Sequence, residues 1–272
     1  MTESVRTPLE VTVSVWRAMF LREALDRLFE ARAAWLWLLV EPIIYISVHA
    51  FGLETFHVHQ VGGMSINMWI IAGFVGFLLW RRTWTQVLHG IDCNRAFFAY
   101  RQVKPFDVAI VRAVLELFLM LPISIIIVAL AILAGHAMTR DLLNPAWLPA
   151  DPLLVMATTV GLWLLGLGLG LVTSAAMHFV PELDHVFKLL YLPLYYVSGA
   201  LLPIALYVPA PYQYFFVANP VVNGLELMRQ GFLPSYHALE GVSLGYLYAW
   251  ALGLILVGLT LYRRFSRKLV MR

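Results

Sequence analysis

Charge is scarce in this sequence. Only 13% of its 272 residues are Asp, Glu, Lys or Arg, against about 25% in soluble domains. Lysine occurs three times, as Lys104, Lys188 and Lys268. None of them stands in a GxxxxGK[ST] phosphate loop, so the chain is not expected to hydrolyse nucleotide itself. The one cysteine, Cys93, excludes an internal disulfide. There is no HExxH or CxxC, and His57 and His59 stand two apart, so no metal site is expected. No GxSxG elbow marks a nucleophilic serine, and Ser198, between Val197 and Gly199, reads as a small residue for helix packing. The basic residues do not gather on one soluble face, which argues against nucleic acid. Residues 1–33 are charged throughout without a short apolar run, so no signal peptide is read there.

What the chain has is apolar surface: 61% hydrophobic residues and a mean hydropathy of +0.78. Six stretches approach or exceed the roughly 20 residues that cross a bilayer. They are 34–53, 66–88, 108–135, 152–179, 186–206 and 243–262. The third and fourth are long enough to tilt. The expected fold is an all-α integral membrane protein with six transmembrane helices. Orientation follows from the loops. Arg6, Arg17, Arg22, Arg27 and Arg32 precede the first span. Arg81, Arg82, Arg95, Arg101, Lys104 and Arg112 surround the second loop, and Arg263, Arg264, Arg267, Lys268 and Arg272 follow the last span. With both termini cytoplasmic, all but Arg140 and Arg229 of the 19 basic residues lie inside.

Two further segments stand out. Before the first span, Val13, Trp16, Phe20, Leu21, Leu25 and Leu28 share one helical arc, with Arg22, Glu23, Asp26 and Glu30 on the other. That pattern predicts a helix lying in the inner interface, or else a solvated lead-in helix. Residues 207–235 are expected outside, yet they are apolar and broken by Pro209 and Pro211. Asn219 followed by Pro220 reads as a helix start. Two short helices in a re-entrant hairpin fit, because irregular backbone at membrane depth must be buried in protein or line a wet cavity. A plain interfacial loop is the alternative.

Candidate functional residues are few. Glu41, Glu116 and Glu226 are the acidic residues within or beside apolar stretches, and none is clearly central, which weakens an ion-coupled mechanism. Gly161, Gly166, Gly168 and Gly170 predict close helix packing. Trp80 and Trp84, and Tyr191, Tyr195 and Tyr196, are aromatic-belt residues or a path for sugar, whose C–H edges stack on rings without fixing one register. In residues 92–107, Phe97, Phe98 and Tyr100 crowd beside Arg95, Arg101 and Lys104. Exposed aromatics beside arginine compose protein interfaces, although a solvated basic face or a segment lying on lipid has a similar composition.

The run Gly90-Ile91-Asp92-Cys93-Asn94-Arg95 through Phe106-Asp107 resembles the cytoplasmic segment of capsular polysaccharide export permeases, the KpsM type of the type-2 ABC transporter family. Three more blocks agree in order: FLRE at 20–23 with LW and EP at 36–37 and 41–42, PLYYVSGALLPI at 193–204, and NPVVNGLELMR at 219–229 followed by EGVSLGYL at 240–247. Phe29 and Ala34 stand where the family often has glycine, and Cys93 where it has a small residue. The resemblance implies a homodimeric permease with two copies of a separate ABC ATPase subunit, which would hold ATP and Mg; this chain would hold no cofactor. It implies a lipid-linked capsular polysaccharide as substrate, passed on through a periplasmic adaptor and an outer-membrane channel from a bacterial inner membrane. On this reading residues 1–33 are the interfacial helix, 34–262 the transmembrane domain and 263–272 a cytoplasmic tail. Arg81, Arg82, Trp84, Tyr191, Tyr195 and Tyr196 would border the substrate path. Asp92, Asn94, Arg95, Phe98, Tyr100, Arg101, Lys104 and Asp107 would couple to the ATPase. Asn219, Pro220, Glu226 and Arg229 would form the outer hairpin or gate. Rival readings are an O-antigen or teichoic acid exporter, a drug or lipid exporter of the same family, and a membrane-embedded enzyme of envelope assembly.

Overall fold

The computed structural model describes residues 7–29, 34–55, 57, 60–100, 102–139 and 148–270, and they are almost entirely helical. Helix α1 runs Pro8–Phe29 and α2 runs Ala34–Thr55. A two-stranded ribbon, β1 (Gln60–Val61) and β2 (Met64–Ser65), leads into α3 (Ile66–Leu88). A short α4 (Gly90–Cys93) and a 3₁₀ turn (Arg95–Ala99) precede α5 (Pro105–Thr139). Then come α6 (Pro152–Phe179), α7 (Leu183–Val197), α8 (Ile204–Tyr207), α9 (Ala210–Val217), α10 (Pro220–Phe232) and α11 (Leu244–Val270).

Four of these helices are long and apolar enough to cross a membrane, within Leu36–Leu53, Pro105–Leu133, Pro152–Phe179 and Leu244–Ser266. Helix α3 matches the expected 66–88 and has the length, but Asn67, Arg81 and Arg82 lower its hydropathy. It is an interior helix, buried along most of its length. The expected continuous span at 186–206 is corrected. Helix α7 ends at Val197, Gly199 adopts a left-handed φ of 67°, and the chain restarts as the four-residue α8 at Ile204. Glycine past the last turn is a helix stop, and the residue before Pro203 is disfavoured in a helix. Fifteen residues of α7 reach only about 22 Å, short of the roughly 30 Å hydrocarbon core. The last helix extends through the basic residues to Val270 instead of ending at 262.

The packing centre is α6, which touches α11, α3 and α10. Glycine makes this possible. A Cβ at Gly166 would sit 2.7 Å from the Trp80 carbonyl oxygen, and one at Gly168 would sit 3.0 Å from that of Ala251. A continuous core runs through Phe74, Phe77, Trp80, Trp84, Leu162, Leu165 and Leu225. The ribbon turns on Gly62 and Gly63, with φ of 57° and 83°, as a two-residue hairpin with positive φ at both positions demands. Val61 and Met64 plug it onto Trp69 and Tyr236. Among the described residues the structure therefore has two ends: one carries α4, the 3₁₀ turn and α1, and the other carries the ribbon and α8–α10.

Candidate functional site

Arg81 and Arg82 lie seven and six residues before the end of α3, and their being adjacent sends them about 100° apart around the helix. Arg81 Nη2 donates to Glu41 of α2 at 2.7 Å. Arg82 Nε donates to Glu116 of α5 at 3.0 Å and lies 4.0 Å from Glu41. Glu116 is fully buried and also receives Arg27 from α1. Arg112, one turn before Glu116, pairs with Glu23 of α1 at 2.5 Å and donates to the Gln86 carbonyl at 3.3 Å. Arg27 completes the circuit through the Gln86 side chain at 2.8 Å and Glu23 at 3.4 Å. Counting Arg22, which donates to Glu23 at 3.2 Å, five guanidiniums thus face three carboxylates on four helices. Burial raises the Glu23 carboxyl, but Arg112, Arg27 and Arg22 outweigh it and hold the group below its usual range.

Beside this network lies a cleft of about 390 Å³ lined by Trp37, Leu38, Glu41, Arg81, Arg82, Thr85, Gln86 and Tyr191. The structure brings Arg81, Arg82 and Tyr191 together here. Both arginines are paired here, Arg82 with the buried Glu116 and Arg81 with Glu41 on the rim of the cleft. The other path candidates divide. Tyr196 is exposed. Trp84 is a core residue whose indole donates to Thr173 at 3.0 Å and meets Tyr191 edge-on. Tyr195 is 4% exposed, stacked on Tyr45 at 5.7 Å and packed on Phe77 at 4.4 Å, with the Arg81 guanidinium 5.3 Å away.

The 92–107 segment also divides. Asp92, Arg95, Tyr100 and Lys104 are exposed, with Arg95 donating to Asp92 at 2.6 Å. Asn94, Phe98 and Asp107 are buried. Arg101 lies outside the described residues. The buried members tie the segment to α1: Trp16 donates to Asp107 at 2.8 Å, Arg22 donates to Asn94 at 2.7 Å, and the Arg22 guanidinium sits 3.9 Å over Phe97. Asp107 also caps α5 by accepting from the Lys104 amide at 2.8 Å. Sequence reasoning missed the part played by Trp16, Arg22, Arg27 and Gln86. The available signal was the charged arc of α1, which had to meet something polar once the opposite arc was assigned to lipid.

At the opposite end, Asn219 caps α10 by accepting from Val221 at 3.0 Å, with Pro220 at the first helical position, as the sequence pattern predicts. Arg229 is completely buried. It donates to Glu226 at 2.8 Å, to the Gly199 carbonyl at 2.8 Å and to those of Trp69 and Ala200 at 3.3 Å, and its guanidinium lies 3.6 Å over the Trp69 ring. Glu226 accepts from the Tyr236 hydroxyl at 3.0 Å and the Leu239 amide at 3.3 Å. This pair locks α10 to α3 and to the break after α7. Burial, the largest influence, pushes the Tyr236 hydroxyl up to about 12.

Comparison with known proteins supplies the context for this geometry. The sequence pattern of the ABC-2 type transporter family matches residues 14–233. The polysialic acid transport protein KpsM of Escherichia coli is 29% identical over 259 residues, 95% of this chain and 96% of its own length. The capsule polysaccharide export inner-membrane protein CtrC of Neisseria meningitidis serogroup A is 26% identical, covering 92% and 90%. BexB of Haemophilus influenzae, another capsule polysaccharide export inner-membrane protein, is 22% identical, covering 95% and 94%. The family match takes in α2 through α10 and most of α1, charged network and hairpin included, and the chain therefore belongs to the ABC-2 type transporter family.

Proposed function

We propose that this chain is the membrane permease subunit of an ATP-driven exporter that moves lipid-linked capsular polysaccharide across the bacterial inner membrane. The observation that carries this reading is similarity along almost the full chain to relatives all named for polysaccharide transport or export. The chain carries no phosphate loop, so ATP and Mg belong to a separate ABC ATPase subunit, present in two copies against two copies of this permease. A periplasmic adaptor and an outer-membrane channel carry the polymer onward.

In this reading the chain crosses six times, by α2, α3, α5, α6, the interrupted α7–α8 unit and α11, with both termini cytoplasmic. Helix α1 lies in the inner interface: Leu9, Val13, Leu21, Leu25 and Phe29 are exposed, while Glu23 faces the protein. The α9–α10 pair is the outer re-entrant hairpin, and burial of α10 among α3, α6 and α11 supports it. The cleft at Arg81 is where the anionic lipid-linked end comes in from the inner leaflet, and the exposed part of 92–107 meets the ATPase. Deleting this gene in its source bacterium should leave polymer trapped in the cytoplasm, with surface capsule lost. Normal surface capsule in the deletion strain would overturn the reading.

A further inference from the structure

Of the three carboxylates in the charged network, Glu41 is held least. Glu23 and Glu116 are buried and each meets at least two guanidiniums. The Glu41 side chain is 31% exposed, lines the cleft, and makes one close contact, to Arg81 Nη2. It directly precedes Pro42, which removes a hydrogen bond inside α2 and gives that helix a point of bending. The cleft also has donors to spare. Arg81 Nε is buried without a partner among the described residues, and so is the Tyr191 hydroxyl. A buried donor left unpaired is costly, so their presence beside an open cleft points to a ligand richer in acceptors than the Glu41 carboxylate. Trp37 and Leu38 add an apolar wall.

We propose that Glu41 is a built-in stand-in for the anionic group of the amphiphile this cleft admits. An incoming phosphate or carboxylate replaces Glu41 on Arg81, takes up the idle Nε, and thereby opens the ionic tie between α2 and α3. Arg82 stays with Glu116 and only supplies field. The inference rests on the reading of this cleft as the place where the lipid-linked substrate comes in.

The test is a titration of the full-length chain in neutral detergent with dioctanoyl phosphatidate, dioctanoylglycerol or inorganic phosphate. Wild type should bind the phosphatidate and bind the other two far more weakly. Glu41→Gln, which keeps the shape and removes the competing charge, should bind phosphatidate about tenfold tighter. Glu41→Asp, which keeps the charge, should stay near wild type, and Arg81→Gln should lose binding. If Glu41→Gln binds no tighter while Arg81→Gln still loses binding, the stand-in role fails and the cleft survives. If no variant binds phosphatidate, or Arg81→Gln binds like wild type, the cleft reading itself fails. Inorganic phosphate binding as tightly as phosphatidate would assign the site to a free anion and overturn the amphiphile.

Discussion

Arg229 has a partner for each of its three guanidinium nitrogens, and Gly73 leaves the space for them, since a Cβ there would collide with Nη2. Removing one member of such a pair leaves the other charged and buried. Arg229→Met should therefore destabilise the chain by about 3–5 kcal/mol, read as a lower melting temperature in detergent and reduced yield. An unchanged melting temperature would show that Glu226 finds another partner. The spacing of Glu226 and Arg229, three apart on a helix, was visible in the sequence. Their joint burial was not, because it depends on the carbonyls freed where α7 stops at Gly199. Tyr195 teaches the same distinction. Its sequence position suited a sugar path, but it is packed among Tyr45, Phe74 and Phe77. Tyr195→Ala should cost about 3–5 kcal/mol through the cavity it leaves, so lost export in that variant would report misfolding. Exposed Tyr196 is the position at which alanine probes the path: export should fall while expression and melting temperature hold.

Helix α1 was legible as an amphipathic element because Val13, Leu21 and Leu25 recur at helical spacing. Periodicity assigns residues to faces but does not name what each face meets. Of the charged arc, Asp26 stays exposed but Glu23 enters the protein and meets Arg112, and Arg27 beside the arc meets Glu116. The Gly-Gly turn of the ribbon was passed over because its strands are two residues each, too short for an alternation to register. The fifth span was read as continuous because hydropathy ignores backbone punctuation at Gly199 and Pro203. Docking of α1 has a pH signature. The Glu23 carboxyl is held below its unfolded value of 4.5, so its ionised form stabilises docking at every pH above that value. The contribution disappears as pH falls through the lower folded value. A spin label at Ser14→Cys, with Cys93→Ser, should stay immobile from pH 8 to pH 5, by the ordinary range of a carboxylate, and gain mobility only in stronger acid. Release between pH 8 and pH 6 would point to a different titrating group.

At the scale of the whole molecule, the proposed function requires a partner ATPase to drive the helices of this chain. Orientation comes first. Cys93 is exposed within 92–107, and on the proposed topology a membrane-impermeant maleimide should label it only after spheroplasts are opened. Labelling in sealed spheroplasts would invert the topology and move the ATPase contact elsewhere. With that orientation, 92–107 has one set of residues turned to solvent and another turned inward, and the two sets predict different phenotypes. Asn94 and Asp107 fasten the segment to α1 through Arg22 and Trp16, and Arg27 and Arg82, both on Glu116, link α1 to α3. A push on the segment therefore reaches both α1 and the cleft through hydrogen bonds already in place. Tyr100 and Lys104 stand outside that chain of contacts and are free to meet a partner. A double change, Tyr100→Ala with Lys104→Glu, should leave the fold and melting temperature intact. At an interface it should cost a few kcal/mol by losing an aromatic anchor and reversing a charge. On a lipid surface a basic residue is worth only about 1 kcal/mol. Co-purification of the ATPase decides between them: the double variant should lose its partner and its export together. Asp107→Ala should behave differently, keeping the ATPase bound while uncoupling it, so that hydrolysis continues without export. An intact complex with normal export in both variants would remove this segment from the mechanism and leave α1 as a purely structural element.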